Sequence, residues 1–220
     1  MSVDNITLSI TKEQLSQLPL VEFQGQIHII DSTSDAKQAI DRLSTAGIVG
    51  FDTETKPSFK KGRTNIVSLI QISTESDCYL FRINKFGFTL SLVNFMQNPD
   101  VTKIGLSLRD DFHALHRLSP FEPQSFIELQ TFVADYCISD ASLQKIYAII
   151  FGRRISKSQR LSNWEAESLT VQQQSYASID AWACLRIYRH LKSGLFNPRL
   201  SPYHPDANEN SDKIIISAQN

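Results

Sequence analysis

The sequence predicts an α/β layered domain in which a mixed sheet, containing an antiparallel three-strand meander, is flanked by helices. Short apolar runs rich in β-branched residues, at 26–30, 48–54, 66–72, 78–83 and 101–106, have strand length and strand composition. Stretches with apolar residues at helical spacing alternate with them, at 34–46, 88–97, 107–118, 141–151 and 170–191. Such alternation builds a sheet covered by helices. The 220 residues, 41% of them hydrophobic, suffice for one domain with a sizeable core.

Near the N-terminus, Thr11 and Gln14 have capping-box spacing and Pro19 stops the short helix that they open. Residues 1–25 read as an N-terminal appendage to a domain spanning 26–196. The 34–46 helix turns Ala36, Ala39, Ile40 and Leu43 to one side, and Gly47 ends it. The next run, Ile48-Val49-Gly50-Phe51-Asp52-Thr53-Glu54, is a buried strand that ends abruptly in two carboxylates. The 66–72 and 78–83 strands, joined by a polar turn at 73–77, pair with it as the meander. Asn98-Pro99 stops the 88–97 helix, and the chain returns as a strand at 101–106. The next helix places Leu108, Phe112, Leu115 and Leu118 inward. Residues 125–128 form a short strand and 129–137 a helix. The 141–151 helix buries Leu143, Ile146, Tyr147 and Ile150 and stops at Gly152. Thr170 and Gln173 repeat the capping box and open a long helix to about Leu191. Residues 197–220, which turn to Pro, Asn, Ser and Asp, read as a mobile tail.

A formal net charge of −1 excludes a generally basic surface, so a polyanionic partner must be held by a local site. Cys78, Cys137 and Cys184 are scattered without a CxxC pair, which suits buried thiols in a reducing compartment and implies no zinc site. The absence of a basic-then-apolar leader or a membrane-length apolar run leads to the expectation of a soluble, cytoplasmic protein.

Along a strand, side chains alternate faces, so Asp52 and Glu54 point the same way. Two carboxylates this close repel each other and resist desolvation unless a cation sits between them, and a hard divalent metal suits oxygen ligands. A lone DxE is more often just a strand ending in polar residues; two further aspartates change that reading. Asp111 shares the apolar stripe of Leu108 and Leu115, whereas Asp110 points elsewhere. Asp180 lies on one line with Tyr176, Ala183, Ile187 and Leu191, so it also faces inward. Buried unpaired aspartates are rare, and four converging carboxylates form a metal site. His113 and His116 stand at HxxH spacing without a third zinc-type ligand and read as exposed helix histidines. Lys56, Lys60, Lys61 and Arg63 lie in a loop leaving the carboxylate end of the strand, where phosphate contact and a solvated face are equally good readings. Arg153, Arg154, Lys157 and Arg160 form a second local basic run that hints at backbone binding. Trp164 is either a base-stacking surface or a core residue.

Phe51-Asp52-Thr53-Glu54, Ile104 to Asp111 and Tyr176-Ala177-Ser178-Ile179-Asp180 resemble, in order and spacing, the three motifs of the DEDDy 3′-5′ exonuclease family, to which ribonuclease D and the Werner syndrome exonuclease domain belong. The resemblance covers 26–191. Where many members carry asparagine four residues before the second-motif aspartate, this chain has Ser107. The resemblance implies a ribonuclease H-like fold and release of nucleoside 5′-monophosphates from a DNA or RNA 3′ end. It implies two divalent ions, Mg2+ or Mn2+, with Asp52, Glu54 and Asp180 holding one and Asp52 bridging to the second. Asp111 would act mainly through coordinated water, and Tyr176 would orient the attacking water. Ribonuclease D continues into helical domains beyond this point, so the chain looks like the catalytic module alone. Two rivals remain: a catalytically silent nucleic-acid- or protein-binding module on the same fold, and another ribonuclease H-like phosphodiesterase such as an endonuclease.

Overall fold

A computed structural model describes residues 6–57 and 66–204. Its strands are β1 (Gln26–Ile30), β2 (Ile48–Thr55), β3 (Val67–Ser73), β4 (Asp77–Phe81), β5 (Thr102–Gly105) and β6 (Phe126–Glu128). They form one sheet in the order β1-β4-β3-β2-β5-β6. β2, β3 and β4 are the antiparallel meander, while β1 on β4, β5 on β2 and β6 on β5 pair in parallel. The mixed sheet expected from the sequence is present, with the carboxylate strand in its interior. The register sets Asp52 opposite Gln71 and Glu54 opposite Leu69, and the ladder shifts between Glu54 and Thr55 as the strand leaves the sheet.

The helices are α1 (Lys12–Gln17), α2 (Thr33–Leu43), α3 (Ile83–Phe86), α4 (Leu90–Met96), α5 (Leu108–His116), α6 (Leu129–Phe132), α7 (Leu143–Phe151) and α8 (Val171–Lys192). Both capping boxes form, at Thr11/Gln14 and at Thr170/Gln173, so two orphan N–H groups are satisfied at each start. The stretch expected as one helix over 129–137 divides instead into α6 and a 3-10 turn at Val133–Tyr136. α2, α4 and α5 bury their apolar stripes with Val49 and Phe51 of β2. α7 and α8 pack on the other face, with Ile104 of β5.

Gly50 is what lets α8 lie close to β2, since a Cβ at this position would overlap the Ala181 carbonyl oxygen. The neighbouring helix residue is Asp180, so this approach places the third-motif carboxylate at the end of β2. Gly50→Ala is expected to lower stability by about 1–3 kcal/mol through overpacking, a melting-temperature drop of roughly 2–4 °C per kcal/mol for a domain of this size. An unchanged melting temperature would show that the helix is not held by this contact.

Both chain ends differ from the sequence expectation. Residues 6–21 pack as part of the core rather than as an appendage. Leu8, Ile10 and Leu15 are buried against α7 and α8, and Leu8 N–H donates to the Cys137 carbonyl at 2.7 Å. The physical reason is that 133–138 presents unpaired backbone groups, which Leu8 satisfies as a bridge to Ile138. Residues 197–204, expected to be mobile, are docked: Asn197 caps a 3-10 turn at Pro198–Leu200, and Ser9 N–H donates to the Tyr203 carbonyl at 3.2 Å. The remainder of that stretch, 205–220, lies outside the described residues. Cys78 and Cys184 are buried free thiols and Cys137 is half-buried. Among the described residues, no helix is long and apolar enough to cross a membrane.

Candidate metal centre and active site

At the mouth of β2 the carboxylate oxygens of Asp52, Glu54 and Asp180 lie within 4.8 Å of one another. Burial and mutual repulsion raise every acid here. Asp52 is held well above the usual carboxylate range by burial, then by the charges of Asp111, Asp180 and Glu54. Glu54 is pushed up to about 9 by burial and by Asp180 and Asp111, with Trp164 and Arg160 partly offsetting. Burial likewise lifts Asp180 to about 7, against the pull of Tyr176 and Lys157. Three oxygen donors that can be ionised together only around a positive charge match a hard divalent cation. The donor set therefore fits the metal that the sequence pattern calls for.

Asp111 stands outside this trio but close enough to raise Asp52. It projects from the first turn of α5, pushed up to about 7 by burial, and accepts a short hydrogen bond from the Thr53 hydroxyl. Asp110 is exposed, as the helix phase requires. The start of α5 is set by Glu128, at the end of β6, whose two carboxylate oxygens accept from Ser107 N–H at 3.0 Å and Leu108 N–H at 2.8 Å. An anion on these orphan donors anchors the turn that aims Asp111, and it allows Ser107 its left-handed φ of 63°. Sequence periodicity did not single out Thr53, Glu128 or Gln71. Gln71, across from Asp52, is buried, and neither of its amide atoms has a partner among the described residues.

Tyr176 lies one turn before Asp180 with its hydroxyl directed at that carboxylate. Burial, then the charges of Asp180 and Glu54, keep the phenol protonated. Trp164 is 0% exposed and stands 6.1 Å from the Tyr176 ring, so it is a core residue behind the tyrosine and offers no face for base stacking.

The basic residues divide. Lys157 and Arg160 line the cleft with Asp52, Glu54, Tyr176 and Asp180. Lys56 pairs with Glu165 at 3.0 Å. Arg153 and Arg154 do not line this cleft and reach the N-terminal segment instead, with Arg154 Nε donating to the Leu18 carbonyl at 2.9 Å. They turn away because the chain beyond Gly152 bridges Leu20 at Arg154 before it enters the cleft. Lys60, Lys61 and Arg63 lie outside the described residues. His113 and His116 are exposed on α5, with His116 Nε2 bonded to the Phe121 carbonyl oxygen.

A protein-family model described as 3′-5′ exonuclease matches residues 27–195. The bifunctional 3′-5′ exonuclease/ATP-dependent helicase WRN of Mus musculus is 36% identical over 79% of this chain and 13% of its own length. A 3′-5′ exonuclease of Arabidopsis thaliana is 30% identical over 79% of this chain and 66% of its own length. The chain thus spans a small part of the mouse protein and just under two thirds of the plant one. Among solved structures, the Aedes aegypti Nibbler EXO domain superposes with a TM-score of 0.67 at 23% identity, covering 79% of this chain and 92% of that one. The sheet order and helical layers are those of a ribonuclease H-like fold. With three motifs gathered at one cleft and the family match running through residues 27–195, the protein belongs to the 3′-5′ exonuclease family.

Proposed function

We propose that this chain hydrolyses phosphodiester bonds from the 3′ end of a nucleic acid, releasing nucleoside 5′-monophosphates, with two divalent ions, Mg2+ or Mn2+. The observation that carries this reading is the trio of Asp52, Glu54 and Asp180 oxygens within 4.8 Å, with Asp111 and Tyr176 beside it. Asp52, Glu54 and Asp180 would hold one ion, and Asp52 would bridge to a second. Ions held there supply activation of the attacking water and stabilisation of the leaving 3′-oxygen. Asp111, fixed by Thr53, adds negative charge that strengthens the hold on both. Tyr176, kept protonated, orients the water by its hydroxyl rather than taking the proton. Lys157 and Arg160 face the same cleft and meet the phosphate of the terminal nucleotide.

The test is digestion of 5′-labelled DNA and RNA oligonucleotides with Mg2+ and with Mn2+. A ladder shortening from the 3′ end, abolished by a chelator and absent on a circular substrate, is expected. Cleavage of the circle, or digestion that persists under chelation, would overturn the mechanism.

The adjacent aspartates of α5 give a sharper check. Asp111→Asn should slow digestion and raise the melting temperature of the metal-free protein, because it removes one charge from a repelling cluster and keeps an oxygen for Thr53. Asp110→Asn should cost at most about 1 kcal/mol through the helix dipole and leave the rate near wild type. Rates and melting temperatures with and without Mg2+ decide it; an inactive Asp110→Asn beside an active Asp111→Asn would reverse the assignment.

A further inference from the structure

A second cleft, of about 660 Å³, opens between the 20–24 segment, the end of α7 and the middle of α8. Arg186 lines it, six positions beyond Asp180, so the two side chains leave α8 roughly 120° apart. The Arg186 guanidinium carbon sits 4.8 Å from the Trp182 ring centre and 5.0 Å from that of Phe151. Stacking between two rings fixes the cation and leaves the edge of its fork for a ligand. Arg153 enters the same cleft, and its guanidinium donates to the Leu20 carbonyl at 3.4 Å. Neither arginine has a carboxylate partner among the described residues, whereas Arg189, one turn along, pairs with Glu75 at 3.1 Å.

Tyr147 adds a further donor at the same cleft. It is 1% exposed and lines this cleft, and its hydroxyl has no hydrogen-bond partner among the described residues. Burial raises its pKa while the charges of Arg186 and Arg153 pull it down. Two forked cations and a hydroxyl line one cleft; a tetrahedral oxyanion offers an oxygen to each, a carboxylate only two oxygens. Glu22 at the rim is the single opposing charge among the cleft residues.

We propose that this cleft is a binding site for a phosphate group. Two sources carry that chemistry: a backbone phosphate of a nucleic-acid strand, or a free phosphate or mononucleotide. A strand is within reach because Arg153 is two residues from Ile155, which lines the acidic cleft, a separation of at most about 7 Å along the chain. That source rests on the exonuclease reading above; the phosphate site itself does not.

The experiment uses the full chain with a chelator present, so the acidic cleft holds no cation and repels anions. Inorganic phosphate is titrated against chloride at matched ionic strength, with tryptophan fluorescence and melting temperature as readouts. Saturable binding is expected, weakened at least about tenfold by Arg186→Gln and several-fold by Tyr147→Phe, and tightened by Glu22→Gln. Binding of a single-stranded oligonucleotide is then followed against salt. A slope reduced by about 0.7 in Arg186→Gln identifies a strand phosphate as the occupant; an unchanged slope with phosphate binding lost identifies the free anion. No saturable phosphate effect, or one unaltered in both Arg186→Gln and Tyr147→Phe, overturns the site. Phosphate binding that behaves as expected in a protein that digests no nucleic acid would overturn the exonuclease reading alone.

Discussion

Asp52→Asn is expected to lower metal-dependent digestion by at least about 10³-fold while raising the melting temperature of the metal-free protein. The rate loss follows from the proposed role: Asp52 would hold both ions, and electrostatic stabilisation at the reacting phosphate is the largest contribution to such a reaction. The stability gain follows from charge. Asp52 is raised by burial and by three neighbouring carboxylates, so the folded protein without metal carries repulsion that asparagine removes. The sign with pH is fixed by the same shifts. The folded-state values, about 7 for Asp111 and Asp180 and about 9 for Glu54, exceed the unfolded values near 4, so the folded protein keeps protons that the unfolded chain has lost. Metal-free stability should fall as pH rises from about 4, and level off only above 7 to 9. Added Mg2+ should reverse the trend at neutral pH, because binding requires the ionised carboxylates. Melting curves across pH with chelator and with Mg2+, for wild type and Asp52→Asn, check both halves. A wild-type rate in the variant would remove Asp52 from the site; a metal-free melting temperature that rises with pH would contradict the charged cluster.

The parts of this site that were legible in the sequence are those carried by local periodicity. Helix phase alone separates Asp111 from Asp110, and the structure leaves Asp110 exposed while Asp111 reaches Thr53. The line Tyr176, Asp180, Ala183 and Ile187 is inward, with Asp180 only 8% exposed. Both capping boxes and the left-handed Gly152 cap form where spacing and glycine mark them. What was not legible depends on chain segments far apart. Thr53 and Asp111 are separated by 58 positions, Glu128 and Leu108 by 20, and nothing in their neighbours signals the pairing. Leu8 meets 137–139 across most of the chain, which is why residues 1–25 read as an appendage. Gly50 did carry a signal: glycine inside an otherwise β-branched strand marks a close backbone approach, and here the approaching backbone is that of Ala181. Arg153 and Arg154 belong to one charge run in the sequence, yet the backbone bridge at Leu20 turns both away from the cleft that Lys157 and Arg160 line, Arg153 into the second cleft and Arg154 onto the Leu18 carbonyl.

Tyr176→Phe is expected to slow digestion by roughly 10² to 10⁴, the range for a positioned proton-handling group, with little change in metal affinity. The substitution keeps the ring that packs 6.1 Å from Trp164 and keeps the helix, and it deletes only the hydroxyl directed at Asp180. Two roles for that hydroxyl differ in their pH signature. A tyrosinate base would need the phenol ionised near neutrality, but burial and the negative charges of Asp180 and Glu54 drive its pKa upward, away from that state. A protonated hydroxyl that orients water needs no ionisation of its own. The rate should therefore show no rising limb that belongs to Tyr176, and the variant should keep the wild-type pH profile at a lower level. Removing the hydroxyl also withdraws a donor that favours ionised Asp180, so the metal-free variant should bind Mg2+ slightly more weakly at acidic pH and equally well at alkaline pH. Rate against pH and Mg2+ affinity against pH, measured on the same two proteins, separate the roles. Loss of an alkaline limb in Tyr176→Phe would make the residue a base, and a wild-type rate would leave the hydroxyl with no part in the reaction.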